Sequence, residues 1–349
     1  MRLPVGLRHA GVPAALGAAV LFGAGTPLAK ILLEAVSPWM LAGLLYLGSG
    51  IGLFAYRGLT NAQAVSIPRK ELPWFVSAVI AGGVVGPVLL MVGLSGMPAS
   101  GASLLLNAEG VFTVLLAWFA FKENFDRRIA LGMTAILAGA VVLCWPVKPD
   151  FAGFVPALAI LGACLAWGID NNLTRKVSLT DATWIAATKG LVAGTVNLIL
   201  ALVAGSALPL LPKLAGALVV GFLAYGVSLA LFVVGLRHLG TARTGAYFSI
   251  APFVGALIAV AMGEPITMPL IVSGLLMGAG ILLHLTEHHE HTHNHEAIEH
   301  DHEHVHDAHH QHEHTFPVAP GTKHRHPHEH MSITHSHAHY PDSHHQHSH

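Results

Sequence analysis

The chain has little of what most enzymes use for chemistry. It contains two cysteines, and charged residues make up only 11% of its 349 positions. Cys144 and Cys164 are too few for a thiolate metal motif, and no disulfide framework is expected. No phosphate-binding glycine loop, Rossmann glycine pattern or catalytic triad is present, which argues against an ATP-driven pump and leaves no basis for reading the chain as an enzyme. A basic arm for nucleic acid is also missing. Residues 1–286 carry +7, whereas 287–349 carry −8, so the polar end attracts cations rather than phosphates.

What is abundant is apolar length. Hydrophobic residues form 53% of the chain, and mean hydropathy is +0.59 even with the polar tail included. Apolar segments long enough to cross a bilayer as helices recur at 11–33, 38–56, 73–94, 99–121, 129–146, 152–172, 182–204, 214–236, 244–263 and 268–285. Ten spans put both termini on one side. With that side cytoplasmic, the inner segments hold Arg2, Arg8, Arg57, Arg69, Lys70, Lys122, Arg127, Arg128, Arg175, Lys176, Arg237 and Arg243, against only Lys30, Lys148 and Lys213 outside. This is the bias that orients membrane proteins. A secretory signal peptide built on Arg2, Arg8 and 14-AALGAAVLF-22 is the rival reading of the N-terminus, but cleavage there would upset this parity.

The apolar body repeats itself. Residues 21–40 can be laid on 165–185, with Phe22-Gly23 on Trp167-Gly168, Lys30 on Arg175 and Trp39 on Trp184. Residues 92–105 fall on 234–247, and the spans that follow close on Lys122-Glu123 and Gly263-Glu264. Five spans per half reverse the orientation of the second copy. Inverted repeats are characteristic of secondary transporters, whose substrate site lies near the midplane between the halves. Glycine pairs such as Gly48/Gly52, Gly82/Gly86 and Gly274/Gly278 fit close helix packing. The domains are therefore 1–146 and 147–286, two five-helix repeats, followed by 287–349.

On these motifs the chain resembles the drug/metabolite transporter superfamily, EamA type. That resemblance covers residues 11–286. It implies an all-α membrane protein of ten transmembrane helices in two inverted repeats, working as a secondary transporter, usually an exporter of small molecules. One feature departs from the family pattern. The Pro of the fourth helix is present in the second repeat, in Ala251-Pro252-Phe253, but the first has Glu109-Gly110-Val111.

Ionisable residues inside spans are costly and point to function. Glu109 sits mid-span, as a cation ligand or proton acceptor, with Thr113 one turn on. Asp170 and Lys189 lie at comparable depths, suited to a salt bridge or to a substrate, and Asn171 and Asn172 add amides beside Asp170. These six form the expected substrate or ion path. Lys30 and Arg175, near span ends, are expected to snorkel. His238 and His284, each alone, are read as structural. Asn172-Leu173-Thr174 fits a glycosylation sequon but lies at the cytoplasmic face.

The tail holds 24 of the 27 histidines. His288, His289, His291, His293, His295, His300, His302, His304, His306, His309, His310, His312, His314, His324, His326, His328 and His330 are the expected ligands. They suit nickel, zinc, cobalt or copper(II). Two H-E-x-x-H matches, at 289–293 and 302–306, follow from composition alone. With few apolar side chains, the segment is expected to be disordered when metal-free. No cofactor is required, and the expected partners are membrane lipid and a small ion or molecule, with a homodimer left open. Three functions follow from these features. The first is an ion-gradient-driven inner-membrane exporter of divalent transition metals; the second exports an organic metabolite such as an amino acid, with the tail sensing metal; the third is a membrane-anchored metal buffer. Reporter fusions after Lys70 and His349 are expected to read cytoplasm, and one after Asp150 the outside. An external signal from the His349 fusion would refute ten spans.

Overall fold

The structure, a computed structural model, describes residues 11–65, 67–121, 127–145, 154–174, 177, 181–232, 234–235, 244, 247–285, 290–295, 298–304, 324–330 and 333–338. It divides into two units, Met1–Glu287 and His288–His349. Among the described residues, the regular structure of the first unit is all helical. Its helices are α1 Gly11–Leu32, α2 Pro38–Leu59, α3 Leu72–Ser95, α4 in two pieces (Ala99–Leu105 and Ala108–Phe121), α5 Arg127–Cys144, α6 Val155–Thr174, α7 Ala182–Val203, α8 Leu211–Phe232, α9 Ala251–Ala261 and α10 Met268–Leu285. All ten predicted spans have a counterpart. Among the described residues, six helices are long and apolar enough to cross a membrane by length and composition, and α5, α9 and α10 supply shorter apolar stretches.

Sequence punctuation explains where these helices start and stop. Proline occupies the first turn of α2, α3, α8 and α9, where its missing N–H costs nothing. At the other end, α7 and α9 stop on Gly205 and Gly263, with φ of 85° and 105°. There the N–H of Gly263 bonds Val260 O and that of Glu264 bonds Ala259 O, closing the last carbonyls in a left-handed cap that glycine adopts without strain. The Gly-Glu pair that closes the fourth span of the second repeat is thus a helix stop that fixes the place of Glu264.

The inverted duplication is visible in detail. α2 packs along α7 and α5 along α10, each helix against its own counterpart from the other repeat. α6 packs against α3 and α4, while α1 packs against α8 and α9. Both third spans contain a π-helical segment, Val79–Val85 in α3 and Gly221–Val227 in α8. These segments are 142 residues apart, the same offset that lays 92–105 on 234–247. The core runs through the bundle around Met40, Leu41, Leu90, Met91, Leu105, Ile160 and Met277, all fully buried.

Lys30 does not snorkel. Its ammonium donates to Leu94 O (2.6 Å), Met97 O (3.0 Å) and Ser95 O (3.3 Å), closing the carbonyl end of α3. Beside it, the Glu264 carboxylate accepts from the backbone N–H of Ala99 (2.6 Å) and Ser100 (2.8 Å), capping the start of α4. The 95–98 turn is therefore held by one residue from each repeat. Arg175, which the sequence pairs with Lys30, and Lys122-Glu123 lie outside the described residues. At the opposite end of the bundle, Arg57 donates to Asp181 Oδ1 and Thr183 Oγ1 (2.7 Å each) and to Gln63 O (2.8 Å), tying α2 to the N-terminus of α7.

Among the described residues, the second unit carries four strands: β1 Glu290–His295, β2 Ile298–His304, β3 His324–His330 and β4 Ile333–Ala338. β1 pairs antiparallel with β4, and β2 with β3. The composition offers no core, and a two-stranded ladder needs none, because its hydrogen bonds are backbone to backbone. Such a ladder is marginal in water without a further stabiliser. His288, His289, His306, His309, His310, His312 and His314 lie outside the described residues.

Partial burial opposes ionisation of Glu264. The bonds from Ser100 and Ala99, with Lys30 nearby, outweigh it and hold the pKa below the ordinary carboxylate value. Its stabilising contribution is therefore present above the unfolded-state pKa and lost as pH falls through the lower folded value. Glu264→Ala is expected to cost about 0.5–2 kcal/mol, as loss of a helix cap does. Thermal unfolding in detergent should show a deficit at neutral pH that closes in acid.

Candidate functional site

Two interruptions in the helices create the setting. In the π segment of α3 the backbone carbonyls are displaced from their usual partners. Gly82 O accepts from Tyr46 Oη (2.8 Å) and from Trp167 Nε1 (2.9 Å), while Asn197 Nδ2 donates to Gly83 O (3.1 Å). α2, α6 and α7 each thus send one polar side chain to the same stretch of α3. Gly82 also makes room for the site. A Cβ there would run into the Asp170 carboxylate, and one at Gly86 would lie 2.8 Å from Trp167 Nε1.

The second interruption is in α4. The helix stops at Leu105 and restarts at Ala108, with Asn107 buried in the gap and donating to Leu104 O (2.9 Å). Glu109 falls in the first turn of the restarted helix, where the free N–H groups and the helix dipole favour a carboxylate. The matching break in the second repeat lies just before α9 and its Pro252. Loss of the proline in the first repeat therefore did not remove the break, and Asn107 serves it instead.

All six residues predicted for the path meet around these breaks. Asn171 Nδ2 donates to Glu109 Oε1 (2.9 Å) and Thr113 Oγ1 (3.2 Å), joining α6 to α4. Asn172 Nδ2 donates to Gly168 O (2.8 Å) and Thr113 O (3.1 Å). One residue before Asn171, Asp170 receives the Lys189 ammonium on Oδ2 and the Thr174 hydroxyl on Oδ1 (2.9 Å). Their side chains are 8% and 12% exposed, so this is a desolvated ion pair. Glu109 is half-buried, Asn171 is exposed, and Glu109 forms no salt bridge among the described residues. Of the three charges, Glu109 alone is free to exchange a proton or meet a cation without breaking an existing pair.

Tyr46, Asn107 and Asn197 are absent from the sequence-level site, and Trp167 enters there only as a repeat motif. A tyrosine or asparagine inside a span was the available signal, because its polar atom must find a partner there. Among the described residues of the membrane body, no three His, Cys, Asp or Glu side chains come together as a metal site.

The cluster has no counterpart in the other repeat. The repeat offsets place Gly25 opposite Asp170, Leu44 opposite Lys189, Leu191 opposite Tyr46, Gly52 opposite Asn197, Ala251 opposite Glu109 and Gly255 opposite Thr113. The second repeat has the matching π segment and helix break without these groups.

Comparison with known proteins agrees with this architecture. The profile of the EamA-like transporter family matches residues 9–145 and again 155–286. A protein of Methanothermobacter thermautotrophicus described as an uncharacterized transporter is 30% identical over 288 residues, spanning 76% of this chain and 83% of that one. A probable amino-acid metabolite efflux pump of Salmonella typhimurium is 25% identical, spanning 78% and 93%. The uncharacterized inner membrane transporter YedA of Escherichia coli K12 is 25% identical, spanning 70% and 80%. A solved crystal structure, 18% identical, superposes with a TM-score of 0.62 over 79% of this chain and 96% of its own, which shows a shared fold.

Breaking a buried ion pair from one side leaves an uncompensated charge. Asp170→Asn is therefore expected to destabilise the protein by about 3–5 kcal/mol. Adding Lys189→Met should recover most of that loss. Thermal unfolding of the single and double variants in detergent checks this, and additive losses would mean that the two residues are not coupled.

Proposed function

The chain belongs to the EamA-like transporter family, and from that premise we propose that it exports a zwitterionic organic metabolite of the amino-acid class, driven by an ion gradient carried through Glu109. The observation that carries this reading is the asymmetric cluster of Glu109, Asp170 and Lys189 between the interrupted helices α3 and α4. An amino acid presents one carboxylate and one ammonium. In the proposed complex the Lys189 ammonium takes the substrate carboxylate, and Asp170 and Glu109 take the substrate ammonium. The ion pair then exchanges one partner for another, and neither charge is left bare at membrane depth. The name of the Salmonella relative points to the same substrate class.

Both termini are placed in the cytoplasm of a cell inner membrane, on the lysine and arginine bias. The clamp of Lys30 and Glu264 then lies at the outer end of the helices. In this reading the histidine-rich segment collects or senses divalent metal on the cytoplasmic side.

Export of the metal itself is the second reading, favoured by the density of imidazole in that segment. Within the membrane, however, Glu109 is paired with an amide donor, and Lys189 brings positive charge. Both suit a hydrogen-bonding organic ion better than a bare divalent cation, which prefers several converging acceptors.

The test is transport in proteoliposomes at matched protein levels, comparing a set of amino acids with nickel, cobalt and zinc chlorides. Glu109→Gln keeps shape and hydrogen-bonding capacity while removing the titratable proton. It is expected to abolish gradient-driven amino-acid transport with insertion unchanged. Metal transport without amino-acid transport would replace the substrate, and normal transport by Glu109→Gln would remove Glu109 from the mechanism.

A further inference from the structure

The backbone register of the histidine-rich unit is not arbitrary. In the β2–β3 ladder, His300 faces His328, His302 faces His326 and His304 faces His324. Every histidine of one strand lies opposite a histidine of the other. Alternate residues of a strand share one face, so these six occupy one face of the ladder. The intervening rows are Glu299 with Glu329, Asp301 with Pro327 and Glu303 with Arg325. In the β1–β4 ladder His291 faces His337 and His293 faces His335, while His295 faces Ile333. A slip of one residue would put the β2 histidines opposite Glu329, Pro327 and Arg325, or Pro327, Arg325 and Lys323, so the register sorts the histidines into facing rows.

We propose that the two strands of the β2–β3 ladder form a bivalent-metal site, in which an ion is bound by two adjacent cross-strand histidine pairs and holds the strands together. The inference rests on the reading of this segment as metal-binding and specifies its architecture. Opposed residues in an antiparallel pair have Cβ atoms about 4.5–5.5 Å apart. Successive rows on one face are about 6.8 Å apart along the strand. Two rows therefore place four histidine positions within reach of one ion, the number of ligands that a tetrahedral zinc site takes at about 2.0–2.1 Å per bond. Six imidazoles on the face supply one complete four-ligand set, with the third row at its edge.

This arrangement also reconciles the composition with the ladder. The segment cannot bury a core, and isolated two-stranded ladders are marginal. An ion shared by both strands supplies the missing cross-link, so that binding and strand pairing become one equilibrium. The loop that the ion closes runs from His304 to His324, and the entropic penalty of closing a loop rises only slowly with its length.

The test uses the full-length protein in detergent, with zinc chloride or nickel chloride alone as the probe, measured by equilibrium dialysis. One variant exchanges Glu299 with His300, Asp301 with His302 and Glu303 with His304. It keeps the composition and moves the three histidines of β2 to the opposite face. Loss of the β2–β3 site, seen as roughly tenfold or greater weakening of the tightest binding step, is the expected result, comparable to loss of a metal's supporting ligands. The pair His302→Asn and His326→Asn should be strongly non-additive, because either one breaks the same site, whereas His302→Asn and His293→Asn should add. If the exchanged variant binds as tightly as the natural chain, the register carries no metal and the ladder site is wrong, while metal binding by composition survives. If the natural chain binds no metal, both the site and the metal-binding reading of the segment fall.

Discussion

Inside a bilayer, every backbone polar group must find its partner within the protein. That constraint accounts for most of the polar side chains in the membrane body. The π segment of α3 shifts the carbonyls of Gly82 and Gly83 out of the regular helix pattern, and Tyr46, Trp167 and Asn197 meet them. The break in α4 displaces Leu104 O, and Asn107 meets it. At the end of α3 the Lys30 ammonium covers three carbonyls, while Glu264 covers the first N–H groups of α4. These bonds support irregular backbone, and irregular backbone at membrane depth is where transporters place their substrate contacts.

Near-symmetry separates what the fold needs from what it does not. Both third spans have a π segment, and both fourth spans are interrupted. Yet the polar partners gather on one copy only. The positions equivalent to Trp167, Tyr46 and Asn197 are Phe22, Leu191 and Gly52. The symmetric features belong to the scaffold and to the way two inverted halves pack. The asymmetric ones each occur in one repeat only, and the proposed site of Glu109, Asp170 and Lys189 is built from them.

Much of this was legible in the sequence, for identifiable reasons. Helix positions follow from uninterrupted apolar length, so every predicted span has a counterpart. The repeat was readable because Gly23 and Gly168, and Trp39 and Trp184, occupy matching positions in the two halves. Glu109, Asp170 and Lys189 stood out because charge is rare in such segments. Other features depend on the third dimension. Lys30 near a span end resembles an anchor reaching for headgroups, and only the packing of α1 beside the end of α3 gives it carbonyls to bind. Tyr46 and Asn197 carry no charge and sit in ordinary apolar surroundings, so their target, a displaced carbonyl on another helix, has no sequence signature. The strand register of the tail is hidden likewise. An H-x-H run shows that imidazoles recur every second residue, but not which distant run faces it.

The charge count of the cluster bears on how the proposed exporter would couple its substrate to a gradient. The Lys189–Asp170 pair is neutral as a unit, and separating it inside the membrane without replacement is costly. A zwitterion is also neutral as a unit, so exchanging the internal pair for two substrate pairs leaves the net charge unchanged. Glu109 is then the group whose ionisation alters the total. Protonated, it makes the empty cluster neutral and able to reorient across a low-dielectric region. Deprotonated, it adds an acceptor for a substrate ammonium beside Asp170. In the proposed mechanism proton and substrate compete for one carboxylate, and mutually exclusive occupancy of that kind would link outward movement of one to inward movement of the other. The amide of Asn171 reaches both Glu109 and Thr113. It holds the carboxyl in place in either state, because an amide N–H can donate to a carboxylate or to the carbonyl oxygen of a neutral acid.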